Sequence, residues 1–362
     1  MNILYLLFSF TTGGTERLVT DICNEMIVQG HHVHLYIVND LYDETMINAL
    51  NPKVQLYLQK RPVGSGGKLQ TIFRLAQYIH KHKFDVIHCN SADAPELLIL
   101  KPLMFPKTKV LYTIHSMNCY NKMHPLRIFY RNLLCHRLIA VSDSVRQEML
   151  SSGAKKEKLI TVYNAVNMHR FVQPSDRSLN TDKVVLGNVA RLDYRTKGQD
   201  ILIRALGILQ KQHPNIHCIF AGTVGQGQEQ NLKDLQDLAK QCDLSDRITF
   251  LGNVNDIPGF LRTLDIFVLP SRSEAFGISL VEAMAMGVPC IASRLDGPVE
   301  VLKSGQLGLL FDADNPRDLA NKIKTMLDSY DRFKTAALEN TEHVRKQYDI
   351  STMCRQLEQY MR

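Results

Sequence analysis

Short, continuous apolar runs alternate with helix-period segments along nearly the whole chain, and this alternation constrains the fold more than any other feature. In the first half NILYLL, HVHLYIV, DVIHC, KVLYTI, RLIAV and LITVY read as strands, separated by helical stretches such as 16–29, 68–83 and 144–151. The second half repeats the scheme with VVLGNVA, IHCIFAG, RITFLG, DIFVLP, PCIAS and LGLLF, and with helices over 199–212, 228–242, 278–286 and 318–330. A strand that is apolar on both faces must be covered on both, which requires parallel sheets flanked by helices. HRFVQPSDRSLNTDK is polar, holds a proline and has no periodicity, so it reads as a boundary. The expectation is an α/β protein of two Rossmann-like domains facing each other across a cleft. They occupy 1–172 and 184–348, with a linker at 173–183. A terminal helix over 349–362 follows another helix with no strand between them, and it could cross back to the first domain.

The charge is divided unevenly. Residues 1–170 hold 20 basic and 12 acidic side chains, a balance of +8, whereas 171–362 hold 23 and 24, a balance of −1. A basic first half suggests a negatively charged partner there, such as a phosphorylated substrate or an anionic membrane surface. No DNA- or RNA-binding motif appears, so nucleic acid is not expected. The eight cysteines are scattered without a CxxC pair, which implies neither a disulfide framework nor a zinc site. MNILYLLFSF lacks a basic flank and a cleavage signal and reads as a first buried strand. No apolar run approaches the roughly 18 residues of a membrane span. These features together predict a cytoplasmic protein, peripheral at the inner face of the membrane if it meets one.

In open α/β sheets ligands bind beyond the carboxyl ends of the strands, so the residues just after each strand carry the functional information. Gly13-Gly14 follows the first strand and precedes a helix, an arrangement that lets backbone approach a phosphate. It is not GxGxxG, and by itself it is equally an ordinary turn. His115 ends KVLYTI and could bond a ligand oxygen or simply be structural. Arg191 and Lys197, in RLDYRTKG, offer a planar fork and a mobile point charge, a combination suited to a diphosphate. The glycine-rich turn Thr223–Gly227 could contact phosphate or be a plain connection. DIFVLPS leads into SEAFGISLVEAMAMGVP, where Glu274 and Glu282 lie eight positions apart. Ser279-Leu-Val-Glu282 fits a capping box. That reading leaves Glu274 unexplained, and carboxylates accept hydrogen bonds from vicinal hydroxyls of sugar or ribose.

EAFGISLVE matches the E-x7-E signature of retaining glycosyltransferases, and the chain most resembles family 4 of that classification, with the GT-B fold. GGTER, YTIHS, IAVSDSV, VYNAVN, NVARLDYRTKG, FAGTVGQG, LPSRSEAFGISLVEAMAMGVPCIAS and GLLFDADNP occur in the family's order. The resemblance implies that Arg191 and Lys197 hold the donor diphosphate, Glu282 the ribose hydroxyls and Glu274 the transferred sugar. Backbone around Phe276, Gly277 and Ile278 would reach the sugar or phosphate. Gly14 would approach the diphosphate, His115 the donor sugar, and Gly222 and Asn164 would complete the donor site. Ala165 and Asn167 depart from the family's usual N-G-V-D.

The implied reaction moves a hexosyl or N-acetylhexosaminyl group from a nucleotide-diphosphate sugar, a UDP-sugar first of all, to a glycan or lipid-linked acceptor. It implies no metal and no cofactor. Asp312-Ala313-Asp314 has the D-x-D form that binds metal in the other large glycosyltransferase fold, but turn and N-cap chemistry explain it here. Base selection is expected around Leu251–Asn255. The alternatives are a sugar-nucleotide 2-epimerase of the same fold and a non-catalytic sugar-nucleotide-binding partner. Finally, 68–83 and 122–137 carry Arg74, Lys81, Lys83, Arg127 and Arg131 beside apolar residues, which suggests docking to anionic lipid.

Overall fold

The computed structural model describes residues 1–172, 179–180, 182–225 and 227–362. Most of the expected linker, 173–178 and 181, and Gln226 of the glycine-rich turn lie outside them. The chain forms two compact units, one of Met1–Val166 with Ile350–Arg362, the other of Asn167–Asp349.

The first unit holds a seven-stranded parallel sheet: β1 (Asn2–Leu7), β2 (His32–Asn39), β3 (Gln55–Arg61), β4 (Val86–Cys89), β5 (Lys109–Ile114), β6 (Arg137–Ala140) and β7 (Leu159–Thr161). The spatial order is β3-β2-β1-β4-β5-β6-β7. β1, β4 and β5 are almost wholly buried along their lengths, which is what their unbroken apolar runs require. β3 has no counterpart among the expected strands. It lies at the sheet edge with a mostly exposed or half-exposed pattern, so QLYLQKR mixes polar with apolar residues and carries no continuous apolar signal. The terminal helix Ile350–Met361 belongs to this unit and packs against the helix Gly14–Val28, with Cys354 and Leu357 fully buried.

The second unit has six parallel strands: β8 (Val184–Val189), β9 (Ile216–Ala221), β10 (Ile248–Gly252), β11 (Ile266–Leu269), β12 (Cys290–Ser293) and β13 (Leu309–Phe311), in the order β10-β9-β8-β11-β12-β13. Leu186, Phe220, Ile266, Val268 and Phe311 form its core with Leu202 and Ile323 from the covering helices. Both sheets reverse direction of growth once, between β1 and β4 and between β8 and β11. The connecting segments diverge at such a point and leave a crevice at the carboxyl ends of the two strands. All eight cysteines are free thiols.

Candidate functional site: the strand ends beside the switch points

Arg191 and Lys197 follow β8, and Glu274 follows β11, so the two segments flank the switch point of the second sheet. Lys197 Nζ lies 2.8 Å from Glu274 Oε2, and the Ser271 hydroxyl donates to the same oxygen at 3.4 Å. Both charged side chains are partly buried, 22% and 16% exposed, which strengthens their attraction while leaving the pair open to exchange with a ligand. The Arg191 guanidinium is exposed and makes no ion pair among the described residues.

The turn that carries these cations is built by glycine and by amide clamps. Gly198 has φ +67°, and a Cβ there would sit 1.9 Å from the Pro270 carbonyl oxygen, so only glycine lets the turn rest on the end of β11. The buried Gln199 donates to the Arg191 carbonyl at 2.8 Å, and Asn231 donates to the Leu192 carbonyl at 3.1 Å. At the neighbouring strand end Gly222 has φ +145°, and a Cβ there would sit 1.9 Å from the Ala190 carbonyl. The Gly222 N–H donates to the Gly252 carbonyl at 2.7 Å, beside the exposed Leu251 of the segment expected to select the base.

After β11, Phe276 is buried and meets Tyr348 edge-on at 5.6 Å. Its side chain therefore anchors the loop. Gly277, with φ +98°, is the N-cap of the helix Ile278–Ala285 and gives it no side-chain cap. This corrects the capping-box reading, because Ser279 already lies inside the first turn and cannot be the N-cap. With Leu280 and Val281 bonding back to the Gly277 carbonyl, the Ile278 and Ser279 N–H groups have no intrahelical acceptor and carry the positive end of the helix dipole. Glu282 stands one turn further along, about 6 Å of axial rise from Ile278.

Gly14, His115 and Asn164 lie at strand ends of the first unit. Gly13 caps the 15-residue helix that Gly14 begins, in an extended conformation open to any residue. The His115 Nε2–H donates to Asn90 Oδ1 at 3.1 Å, and Asn90 donates from Nδ2 to the His88 carbonyl at 3.2 Å. The His115 Nδ1 is buried without a partner, and burial pushes the imidazole down to about 4. Asn164 is buried, and its Oδ1 is likewise unpartnered.

Asp312 and Asp314 are both paired with arginines. Asp314 is 2.7 Å from Arg272 and Asp312 3.5 Å from Arg294, while Asn315 caps the helix Pro316–Asp328. Sequence reasoning missed Arg272, Asp200, Gln199 and Asn90, although a cation in SRSE directly after a strand was a usable signal.

The basic-face reading needs correction. Arg131 is fully buried, bonds the Glu96 carboxylate at 2.8 Å and lies over the Tyr112 ring at 4.7 Å. Arg127 bonds Glu96 at 3.0 Å and also pairs with Asp93. Arg131 is satisfied inside the fold and Arg127 is held in ion pairs at its surface, so neither adds to an open basic face. On the helix Lys68–His82, Leu69 and Phe73 are 72% and 57% exposed.

Two family models divide the chain between them. The model "Glycosyltransferase Family 4" matches residues 12–170, and "Glycosyl transferases group 1" matches 170–343. An O-antigen biosynthesis glycosyltransferase of Escherichia coli, WclY, is 25% identical over 89% of this chain and 88% of its own length. A phosphatidyl-myo-inositol mannosyltransferase of Mycolicibacterium smegmatis is 28% identical over 78% of this chain and 72% of its own. Among solved structures, Anabaena Alr3699/HepE in complex with UDP and glucose superposes with a TM-score of 0.85 at 24% identity, covering 99% of this chain and 98% of that one. The lipopolysaccharide glycosyltransferase WaaG has a TM-score of 0.73 at 17% identity, covering 98% of each chain. The chain belongs to the glycosyltransferases of the family 4 type, with the GT-B fold.

Proposed function

We propose that this glycosyltransferase moves a hexosyl or N-acetylhexosaminyl group from a UDP-sugar to a glycan or lipid-linked glycan, with retention at the anomeric carbon and without a metal. The observation that carries the reading is the Lys197–Glu274 contact of 2.8 Å beside the β8/β11 switch point. Surface-glycan relatives support the acceptor class: the O-antigen enzyme above, and the lipopolysaccharide core mannosyltransferase LpsB of Rhizobium meliloti at 25% identity over 71% of this chain. The UDP complex of HepE supports the nucleotide. Because these relatives are transferases, transfer is favoured over epimerisation.

In this reading Lys197 and Glu274 neutralise each other until the donor arrives. Lys197 and Arg191 then meet the diphosphate, and Glu274 accepts from the hydroxyls of the transferred sugar. Glu282 accepts from the ribose hydroxyls, and the N–H groups at Phe276, Gly277 and Ile278 complete the donor cradle with Gly222. For the first unit the same reading gives Gly14 a phosphate, His115 a sugar hydroxyl and Asn164 a polar donor atom as partner.

As the anomeric C–O bond to phosphate breaks, negative charge grows on the leaving phosphate. Fixed cations and a helix N-terminus stabilise that charge without reorganising. The acceptor oxygen bonds the anomeric carbon on the same face, and its proton passes to the departing phosphate oxygen. A nucleotide diphosphate is already a good leaving group, so the general acid of a glycosidase is not required. With Asp312 and Asp314 held by arginines, the D-x-D segment does not offer a free metal-binding pair.

The acceptor surface is a further part of the proposal. Leu69, Phe73, Leu103, Leu126, Phe129 and Leu133 are all exposed on the first unit. The first two lie on a helix that packs against the turn Ala94–Leu98 and the helix Lys101–Met104. The last three lie on the helix Pro125–Leu134, which is tied to the same turn through Glu96. Exposed Lys68, Arg74, Lys81, Lys107 and Lys122 surround these residues in sequence, the charge complement of an anionic bilayer. No helix among the described residues is long and apolar enough to cross a membrane, so attachment would be peripheral.

The test is a panel of nucleotide sugars incubated with and without candidate acceptors, with nucleotide release followed in EDTA. Release from a UDP-sugar that survives EDTA supports the reading. Abolition by EDTA with rescue by a divalent ion counts against metal independence, and epimer formation counts against transfer. Flotation with anionic vesicles at low salt tests the surface, and a protein that stays with the unbound fraction removes it.

A further inference from the structure

Arg272 stands two residues before Glu274, on the loop that carries the donor carboxylate, yet all of its hydrogen-bonding capacity faces inward. Nε donates to Asp314 at 2.9 Å. One terminal nitrogen donates to the Tyr194 carbonyl at 2.6 Å and to Asp200 Oδ1 at 2.7 Å. The other donates to Asp200 Oδ2 at 2.9 Å and lies 2.7 Å from Asp314. A guanidinium has five N–H donors, and here four make hydrogen bonds while Asp314 also lies 2.7 Å from the second terminal nitrogen. With two carboxylates already on it, this cation has nothing left for a phosphate. It differs in this from Arg191, which makes no ion pair among the described residues.

What Arg272 grips is the cation-bearing turn. The Tyr194 carbonyl belongs to the short helix Tyr194–Lys197, and Asp200 sits in the first turn of the next helix, Gln199–Leu209. The Arg272 and Ser273 backbone N–H groups add bonds to the Thr196 carbonyl at 2.8 and 3.4 Å. Both sides of Lys197 are therefore fastened to the loop of Glu274. We propose that Arg272, with Asp200 as its bidentate partner, is a positioning residue that latches the Lys197 turn to the Glu274 loop and so sets the spacing of the two donor-contacting groups. Only the planar fork of arginine can span Asp200, Asp314 and a carbonyl at once, and a lysine cannot.

The functional consequence of the latch rests on the donor-site reading above. Transition-state charge stabilisation depends on fixed placement, and a displacement of about 1 Å can cost about 100-fold in rate. Arg272→Lys should lower UDP-sugar turnover by about 10- to 100-fold on that basis, with a smaller change in KM. The same substitution in a Lys197→Ala background should cost little more, since Arg272 acts through Lys197. An equal loss in both backgrounds, or no loss, overturns the latch.

A second measurement uses the ligand-free protein with Arg272→Lys and with Asp200→Asn. Amide hydrogen exchange should accelerate at 194–198 and 272–277 and stay unchanged in β8 and β11, which also shows that the variants are folded. Unaltered exchange in those segments overturns the latch even if the wild type proves inert towards every UDP-sugar, the result that would instead fail the donor reading.

Discussion

Charged groups at the strand ends of the second unit are tied to one another, and those of the first unit are fewer. In the second unit Gln199 and Asn231 clamp carbonyls of the cation-bearing turn, Lys197 pairs with Glu274, and Arg272 bonds two carboxylates and a carbonyl. In the first unit His88 Nδ1, His115 Nδ1 and Asn164 Oδ1 are buried without partners. The first unit also holds a buried charge, since Arg131 is fully buried and bonds Glu96 and Tyr112. Buried atoms without partners also occur elsewhere, at the Tyr5 and Tyr120 hydroxyls and Glu96 Oε2 of the first unit and at Asn188 Oδ1 and Gln199 Oε1 of the second. The comparison teaches that the second unit fixes its charged groups through bonds to one another, whereas the first places buried imidazole and amide atoms without partners near its strand ends. An unpaired buried polar atom costs about 1–3 kcal/mol, so leaving several is not free.

The largest expected effect lies in the second unit. Glu274→Ala should reduce transfer by about 100-fold or more while the affinity for UDP changes little, because its proposed partner is the sugar. Initial rates beside calorimetric UDP titration separate the two effects, and a parallel loss in both would move Glu274 to the nucleotide.

Glu96→Ala in the first unit should destabilise by about 3 kcal/mol, since it leaves Arg131 buried without its carboxylate. Denaturant unfolding reads this directly. A loss below about 1 kcal/mol would show that the pair behaves as a surface bridge, and the contrast between the units would weaken.

Gly222→Ala should cost about 2 kcal/mol through its left-handed φ and the close Ala190 carbonyl, lowering Tm by several degrees. An unchanged Tm would mean that the strand ends of the second unit are softer than argued.

The histidines give a pH test. Burial holds His88 at about 3 and His115 at about 4, both below the ordinary 6.5. The unfolded chain takes up these protons near pH 6.5 and the folded chain does not, so their contribution is complete above 6.5 and is lost as pH falls towards 4. Tm should drop over that interval, and His88→Gln should flatten the drop. A profile identical in the variant would remove His88 from the account.

Asn164→Ala should have the smallest effect on stability, within about 0.5 kcal/mol, because no bond to its buried oxygen is lost. A cost as large as that of Glu96→Ala would mean that the oxygen already has a partner.

The architecture was legible because buried parallel strands write their two-sided burial into unbroken apolar runs. β3 was not, because an edge strand needs only partial cover and QLYLQKR shows it. Arg191, Lys197 and Glu274 could be found from their place after strands, since the switch point turns chain order into proximity. The role of Ser279 could not, because S-x-x-E is satisfied by spacing alone, and the helix start is decided by the left-handed Gly277. Arg131 looked like a surface cation because its counter-charge lies 35 positions away, at Glu96. Arg272 was hidden for the same reason: its partner Asp200 is 72 positions off, and no local pattern records such a pairing.

The measurement closest to the central claim is the rate of UDP release from a panel of UDP-sugars by the wild type and by Lys197→Ala. Release by the wild type and a fall of about 100- to 1000-fold in the variant is the expected result. Equal rates in the two proteins would contradict a site built on the Lys197–Glu274 contact.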